Sequence, residues 1–491
     1  MALSNKLKKI TDTKINFKSG TVMRYTQLAE QCVQQIEAGQ LALHSKMPSL
    51  RKFKQLHGVS MTTALNCYQH LESLGWLIAK PQSGYYVAQK SLLADNIKSP
   101  TLVSFQSSTT EPKTPALYNP FIDPCPLGIA RYDSELIPVE KLQQSFKRAM
   151  KQQGKQISHY PDPQGELLLR GCLSEHFKGM NFHFSAAESV ITHGCLDAIR
   201  TAIEITTQVG DAVAISSPCF SGLLDLLASM GRRVVEIPSV QEGIDLEQLQ
   251  YQMQQGAIKA GLFCTSHMNP QGLSMSALQK QKLVELATQY QIPIIEDDVY
   301  LELGYQDVIP LPAKHWDREG YILWCGSFSK TLAAGYRLGW CLPGRYLQAY
   351  LQHRLFANQG VTSPLQLGIA DFIRRGDYLK HLKKIRLHLQ QQSLQFIAYL
   401  QKNLPNNSKI SQPAGGFVLW IEVPDLNTLQ LRKLALINKL DIRIGESFST
   451  LDLYPHCFRL NIGFNIIDPQ VECQLTVLMK LIKDCVKDKT C

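Results

Sequence analysis

The stretch SFSKTLAAGYR, Ser327 to Arg337, follows directly on the apolar run YILWCG (321–326). A lysine just beyond a hydroxyl-rich turn at a strand end is placed to form a Schiff base with an aldehyde cofactor. Burial and a nearby cation depress such an amine's pKa and make it nucleophilic. Arg337, seven residues on, is spaced to fork a phosphate, with Ser327 and Ser329 as further donors. Taken alone, a lysine in such a place is an ordinary solvated residue about nine times in ten. The residues upstream of Lys330 decide otherwise.

IIEDDVY (294–300) ends a second apolar run in Asp297, Asp298 and Tyr300. Pyridoxal phosphate works as an electron sink only while its ring nitrogen is protonated, and Asp297 is the matching carboxylate. SHMNPQG (266–272) places Asn269 at another expected strand end, where it and Tyr300 suit the ring's phenolic oxygen. ITHGCLDAIRTAI (191–203) puts Gly194, Cys195 and Leu196 at a helix start, whose free N–H groups suit a phosphate. Phe220, in SSPCFSG, is an aromatic ring for the pyridine face. Read singly, Asp297 also fits a loop carboxylate and Phe220 a core side chain.

Outward from these motifs the chain alternates strand-like runs with amphipathic stretches. AVAIS (212–216), RVVEIP (233–238), GLFCTS (261–266), IPIIEDD (292–298) and YILWCGS (321–327) predict a parallel α/β sheet. The chain has 491 residues, 44% hydrophobic and 19% charged, enough for about three domains by the usual ~150 residues each. That composition excludes a mainly disordered chain. No apolar run approaches the ~20 residues of a membrane-spanning helix, and Met1–Ile10 lacks the apolar core of a secretory signal. A cytoplasmic protein without membrane partners is expected. The 13 cysteines include no C-x-x-C pair and no zinc-like spacing, so they read as small buried hydrophobes and no metal site is expected.

The net charge of +10 is unevenly placed: residues 1–90 carry +8 and the other 401 only +2. A small basic module fits an anionic partner, most simply nucleic acid. Leu28, Ala29, Cys32, Val33 and Ile36 form one helical stripe ending near Gly39. A second helix enters at Pro48-Ser49 and stops at Gly58, and a third runs from Ser60 or Met61 to about Leu74. WLIA (76–79), the turn KPQSG and YYVA (85–88) complete a hairpin turning at Gly84. In a helix-turn-helix the start of the last helix enters the major groove, which here offers Ser60, Thr62 and Thr63. Arg51, Lys52 and Lys80 are placed to neutralise phosphates. Ser60 fits a plain N-cap equally well, and Arg51 a solvated charge.

The string from Tyr25 through MPSLR, GVSMTTA, LESLGW and SGYYV resembles the GntR-type winged helix over nearly its full length. It departs at Lys46, where that family usually has glycine. From about Phe121 to the C-terminus the motifs resemble the fold-type I aminotransferases. That resemblance implies an α/β pyridoxal phosphate-dependent fold, a three-layer sandwich with a smaller α+β subdomain. It also implies a homodimer, in which Tyr160 of YPDPQGELLLR (160–170) reaches the partner subunit's cofactor, and in which Arg459 of CFRLNIGF grips an amino acid α-carboxylate. Gln271, Ala334 and Cys195 stand where relatives usually have threonine, proline, and serine or alanine, and none of these removes a cofactor group. The combination resembles the MocR regulators.

The expected layout is a winged helix-turn-helix over 1–90, a Ser/Thr/Pro-rich linker over 91–119, and the aminotransferase-like part over 120–491. Its large subdomain is expected over about 165–340, and its small one over about 120–160 and 345–491. Three functions are compatible with these residues. The favoured one is a promoter-binding transcription regulator that senses pyridoxal phosphate, or an amino compound exchanging with Lys330. The second is an amino acid:2-oxo acid aminotransferase with a DNA-binding appendage. The third, an empty scaffold, fits the full donor set least.

Overall fold

A computed structural model describes residues 24–37, 40–42, 45–73, 76–80, 84–87, 125–305, 309–357 and 359–486. The chain divides into two compact units, 1–93 and 94–491. The expected linker, 91–119, lies outside the described residues.

In the first unit, α1 (Arg24–Glu37), α2 (Leu50–His57) and α3 (Met61–Ser73) precede a hairpin of β1 (Leu77–Lys80) and β2 (Gly84–Val87). Ser49 caps α2 by accepting from the Lys52 N–H, and Gly58 closes it at φ +59°, a conformation glycine adopts without strain. Ser60 begins α3 by accepting from the Thr63 N–H at 3.0 Å, and its hydroxyl also meets that of Thr63 at 2.8 Å. The expected capping role is therefore filled. The hairpin acquires a third partner absent from the sequence reading: Met47 N–H donates to Tyr85 O at 2.8 Å and Val87 N–H to Ser45 O at 2.9 Å. The Lys46 departure thus falls on a short strand-like pairing with Tyr86.

The unit's core gathers Ala29, Cys32, Phe53, Ala64, Cys67, Tyr68, Leu71, Leu77 and Val87. The Phe53 and Tyr68 rings lie 4.7 Å apart, and Tyr68 OH donates to Pro48 O at 2.9 Å. Phe53→Ala is expected to cost this unit about 3–5 kcal/mol, comparable to the whole stability of a small domain. Thermal unfolding would show it as one transition lost or strongly lowered, while that of the larger unit stays in place.

The second unit is built on an eight-stranded sheet of β3 (Val190–Thr192), β4 (Ala212–Ser217), β5 (Arg233–Val240), β6 (Gly243–Ile244), β7 (Ala260–Cys264), β8 (Ile294–Asp297), β9 (Ile322–Ser327) and β10 (Gly339–Leu342). Their order is β3-β10-β9-β8-β7-β4-β5-β6. The five runs read as strands are all present and mutually parallel where they pair. The sheet is nevertheless mixed, not purely parallel. β10 runs antiparallel to both β9 and β3, and β6 antiparallel to β5.

The helices of this unit, in order, are α4 (Val139–Gln153), α5 (Leu167–Lys178), α6 (Cys195–Thr206), α7 (Ser221–Ser229), α8 (Leu246–Gln254), α9 (Ala277–Tyr290), α10 (Leu347–Ala357), α11 (Ser363–Arg374), α12 (Asp377–Asn403), α13 (Thr428–Ile437) and α14 (Pro469–Cys485). Helices α6, α7 and α10 bury Ile199, Leu227 and Tyr350 on one face of the sheet. Helices α8 and α9 bury Leu249 and Leu283 on the other. A second, antiparallel sheet, β11 (Lys409–Ile410), β12 (Val418–Glu422), β14 (Cys457–Asn461) and β13 (Arg443–Ile444) in that order, packs against α12, α13 and α14. The layout is the three-layer α/β arrangement with a smaller α+β part. The C-terminal ends of β8 and β9 open on a cleft, the usual place for ligands in such sheets.

Candidate cofactor site

Asp297 closes β8 and is buried in the cleft floor, where burial pushes its carboxyl up to about 6 against a bond from Cys195 that lowers it. Lys330 stands three residues past the end of β9. Its Nζ donates to Ala130 O at 2.8 Å and lies about 6 Å from the Tyr300 and Phe417 ring centres. Burial, with Arg459 and Arg337 adding to it against the pull of Asp297, lowers this amine to about 8. Asn269 Nδ2 donates to Tyr300 Oη at 3.3 Å, and Arg459 Nη1 donates to Asn269 Oδ1 at 3.2 Å. Asn269 is not at the strand end expected for it: β7 stops at Cys264, and the intervening loop carries the amide into the cleft. Burial brings Arg459 down to about 10, still charged at neutral pH.

At the opposite end, Gly194 precedes α6 at φ +89°, and a Cβ there would come within 3.0 Å of Arg337 Nη2. Only glycine leaves this space open. The free N–H groups of the first turn of α6, including those of Cys195 and Leu196, belong to the same pocket. Arg337 reaches Ser329 Oγ and His193 O, each at 3.4 Å. Among the described residues no carboxylate pairs with it. Ser327 Oγ accepts from the Ser329 N–H at 3.0 Å and lies 2.9 Å from Ser329 Oγ. Phe220, half-buried before α7, lines the cleft beside Leu223 and Val299.

Two features carry no signal in the sequence reading. Asp197, in the first turn of α6, accepts from the His193 N–H at 2.9 Å and from Arg354 Nη1 at 2.7 Å. Burial would raise this carboxyl, but His193 and the wholly buried Arg354 hold it well below the usual range. The pair fixes the Gly194 turn. The other feature is a strap, Cys125–Tyr132, tied to Lys330 in the cleft and to Arg459 and Asn461 of β14. Asn461 N–H and Nδ2 donate to Leu127 O and Pro126 O at 2.8 and 2.7 Å, Arg459 Nη2 donates to Gly128 O, and Lys330 donates to Ala130 O.

Tyr160 is not brought to the cleft of its own chain; it is 89% exposed. In the first unit Arg51, Lys52 and Ser60 are exposed near the starts of α2 and α3, with Thr63 half-buried. Thr62 falls in the first turn of α3, and Lys80 pairs with Gly84 at the wing turn, but the side chains of Thr62 and Lys80 lie outside the described residues.

The family model for aminotransferase class I and II matches residues 126–470. The chain belongs to this family. Its N-terminal unit matches the model for bacterial regulatory proteins of the gntR family over residues 24–87, so this aminotransferase-family chain is a GntR-type fusion of MocR kind. It is 34% identical over 446 residues to YdcR of Escherichia coli K12, an uncharacterized HTH-type transcriptional regulator, covering 89% of this chain and 94% of that protein. YjiR of the same organism, also an uncharacterized HTH-type transcriptional regulator, is 30% identical over the same shares of each chain. Among solved structures, kynurenine aminotransferase of Pyrococcus horikoshii superposes with a TM-score of 0.68 at 23% identity, over 74% of this chain and 91% of that one. That likeness concerns the fold.

The cleft of this aminotransferase-family chain fits pyridoxal phosphate. An unneutralised guanidinium, open helix N–H groups and a space that any Cβ would fill make a phosphate cradle at one end. A buried carboxylate, a buried amine and the Asn269–Tyr300 pair lie in the rest of the pocket. When bound, that group supplies an aldehyde carbon for amines and an electron sink. Among the described residues no group of three His, Cys, Asp or Glu could hold a metal ion, and no helix is long and apolar enough to cross a membrane.

Proposed function

We propose that the protein is a cytoplasmic transcription regulator whose helix-turn-helix binds promoter DNA. Its aminotransferase-family unit, taken as 120–491, responds to pyridoxal phosphate or to an amino compound that exchanges with Lys330. The observation that carries this reading is the pairing, on one chain, of a +8 head over residues 1–90 with a full set of cofactor donors. In this reading Arg337, Ser327, Ser329 and the N–H groups of Gly194, Cys195 and Leu196 hold the phosphate, and Asp297 pairs with the ring nitrogen. Asn269 and Tyr300 take the phenolic oxygen, Phe220 stacks on the ring, and Arg459 binds a carboxylate.

The active assembly is a homodimer. Tyr160 (89% exposed), Leu167 (66%) and Phe356 (80%) are apolar groups left in water by one chain alone. A twofold assembly also presents two recognition helices to a palindromic site. Effector control then requires only that the ligand bind two arrangements of the chain with different affinity.

Gel shifts on the DNA upstream of the protein's own gene test the reading. A shifted band whose affinity changes on adding pyridoxal phosphate, or an amine with it, is expected; absence of any shift in all conditions overturns it. A second reading, an active aminotransferase with a DNA-binding appendage, is favoured by the amine lowered to about 8 and the retained Arg459. Steady turnover of an amino donor and a keto acid near about 10 s⁻¹, the enzyme median, would favour it. A half-reaction without turnover would favour the regulator.

A further inference from the structure

Several thiols gather around Asp297 at and beneath the cleft. In the strand register Cys264, Asp297, Cys325 and Cys341 are successive partners across β7, β8, β9 and β10, so their side chains share one face of the sheet. Cys195 covers that face from the first position of α6, with its Sγ 3.4 Å from Asp297 Oδ1. Cys325 and Cys341 meet each other at 3.7 Å, and Cys264 turns to Ser266 O at 3.4 Å. Of this set, only Cys195 is bonded to the carboxylate.

We propose that Cys195 is a positioning residue that acts through Asp297, its S–H donating to Oδ1 and fixing the carboxylate for a ring nitrogen. The inference rests on the pyridoxal phosphate reading above. It departs from the family pattern, in which this position usually holds serine or alanine. The thiol is suited to the task because burial and the facing Asp297 hold it well above its ordinary pKa, so it stays a donor throughout the working pH range. Burial raises Asp297 and Asp298 adds to the rise, whereas Cys195, the Val299 N–H and Lys330 oppose it. The other titratable groups facing Asp297 are Cys219, Cys264, Cys325 and Tyr300, all raised chiefly by burial and hence neutral near pH 7. Among these neighbours Cys195 and Lys330 are the side chains that favour the ionised carboxylate, and only Cys195 touches it.

The test uses full-length wild type, Cys195→Ala and Cys195→Ser. In the chain without cofactor, the infrared difference between wild type and Cys195→Ala isolates one S–H stretch. It is expected at the lowered wavenumber of a thiol bonded to a carboxylate, and to move up in Asp297→Ala. With pyridoxal phosphate bound, Cys195→Ala leaves the carboxylate more basic, so the ring nitrogen holds less proton charge. The pH midpoint of the visible band is then expected to rise by about half a unit or more. Cys195→Ser, which retains a donor, is expected to return it to or below the wild-type value. A serine contact to the phosphate would change affinity without reproducing that shift.

Equal shifts in the alanine and serine variants, the outcome of mere packing, would overturn the proposal. So would an S–H stretch at the position of a free thiol, whether or not the protein binds the cofactor. A wild-type protein that shows the bonded stretch but takes up no pyridoxal phosphate keeps the Cys195–Asp297 bond and overturns its role toward a ring nitrogen, together with the functional reading.

Discussion

Replacing Lys330 with alanine is expected to abolish the Schiff-base absorbance band of protein mixed with pyridoxal phosphate and to weaken retention of the cofactor by at least about tenfold, ~1.4 kcal/mol. The effect is large because the cleft holds no second amine in Lys330's place: its lining contains one lysine and one arginine, Arg337. The phosphate cradle and Asp297 remain in the variant, so weak binding without the Schiff-base band persists and is measurable by equilibrium dialysis. In the wild type, the lowered amine gives a further signature. The neutral form attacks the aldehyde, so the rate of band formation rises with pH towards about 8 and flattens above it. A lysine in water would keep rising for roughly two more units, to its ordinary value near 10.4. A band that survives Lys330→Ala would place the aldehyde on some other amine and remove the basis for the cleft reading.

The second large effect is expected from reversing two charges, Arg51→Glu together with Lys52→Glu. Removing one cation from a DNA phosphate lowers the log–log salt slope of affinity by about 0.9, so removing both lowers it by about 2. Binding at low salt falls steeply with it, and fluorescence anisotropy across a salt series reads both quantities. Misfolding does not mimic this result. Both side chains are exposed on the first turn of α2, where acidic groups favour the helix dipole. A glutamate at 52 also stands three residues past the cap Ser49, the spacing of a capping box. The variant is therefore expected to unfold at or above the wild-type temperature. An unchanged salt slope would mean that the charge excess of residues 1–90 does not act at this helix.

What the sequence disclosed depended on how each contact is made. Strands buried on both faces are mainly apolar, so β4, β5, β7, β8 and β9 stand out as near-continuous runs, and Asp297 and Ser327, closing β8 and β9, mark the cleft. β3, β6 and β10 are two to four residues long, too short to stand out as runs, so the antiparallel edge pairings carry no sequence signal. Helix caps are local chemistry, and Ser49, Gly58 and Ser60 do what their types suggest. A polar residue following an apolar run reads as a strand end, but the loop beyond Cys264 determines the position of Asn269. Arg354 lies 157 positions from Asp197, and neither residue type announces the pairing. The carbonyls of Gly128 and Ala130 could not be anticipated, because every residue carries one.

Those two carbonyls make the strap a latch with two catches. An aldehyde that takes the Lys330 amine would leave Arg459 tied to Gly128, and a carboxylate that takes Arg459 would leave Lys330 on Ala130. Only the two together would release both. Each charge-assisted bond surrendered by the strap is worth about 1.5–3 kcal/mol and must be replaced by the newcomer. Either alone would work against a strap still pinned at the other catch, and at Asn461 as well. Freeing the strap from both side chains would thus require two events to coincide, and its two catches are backbone atoms that side-chain substitution leaves in place.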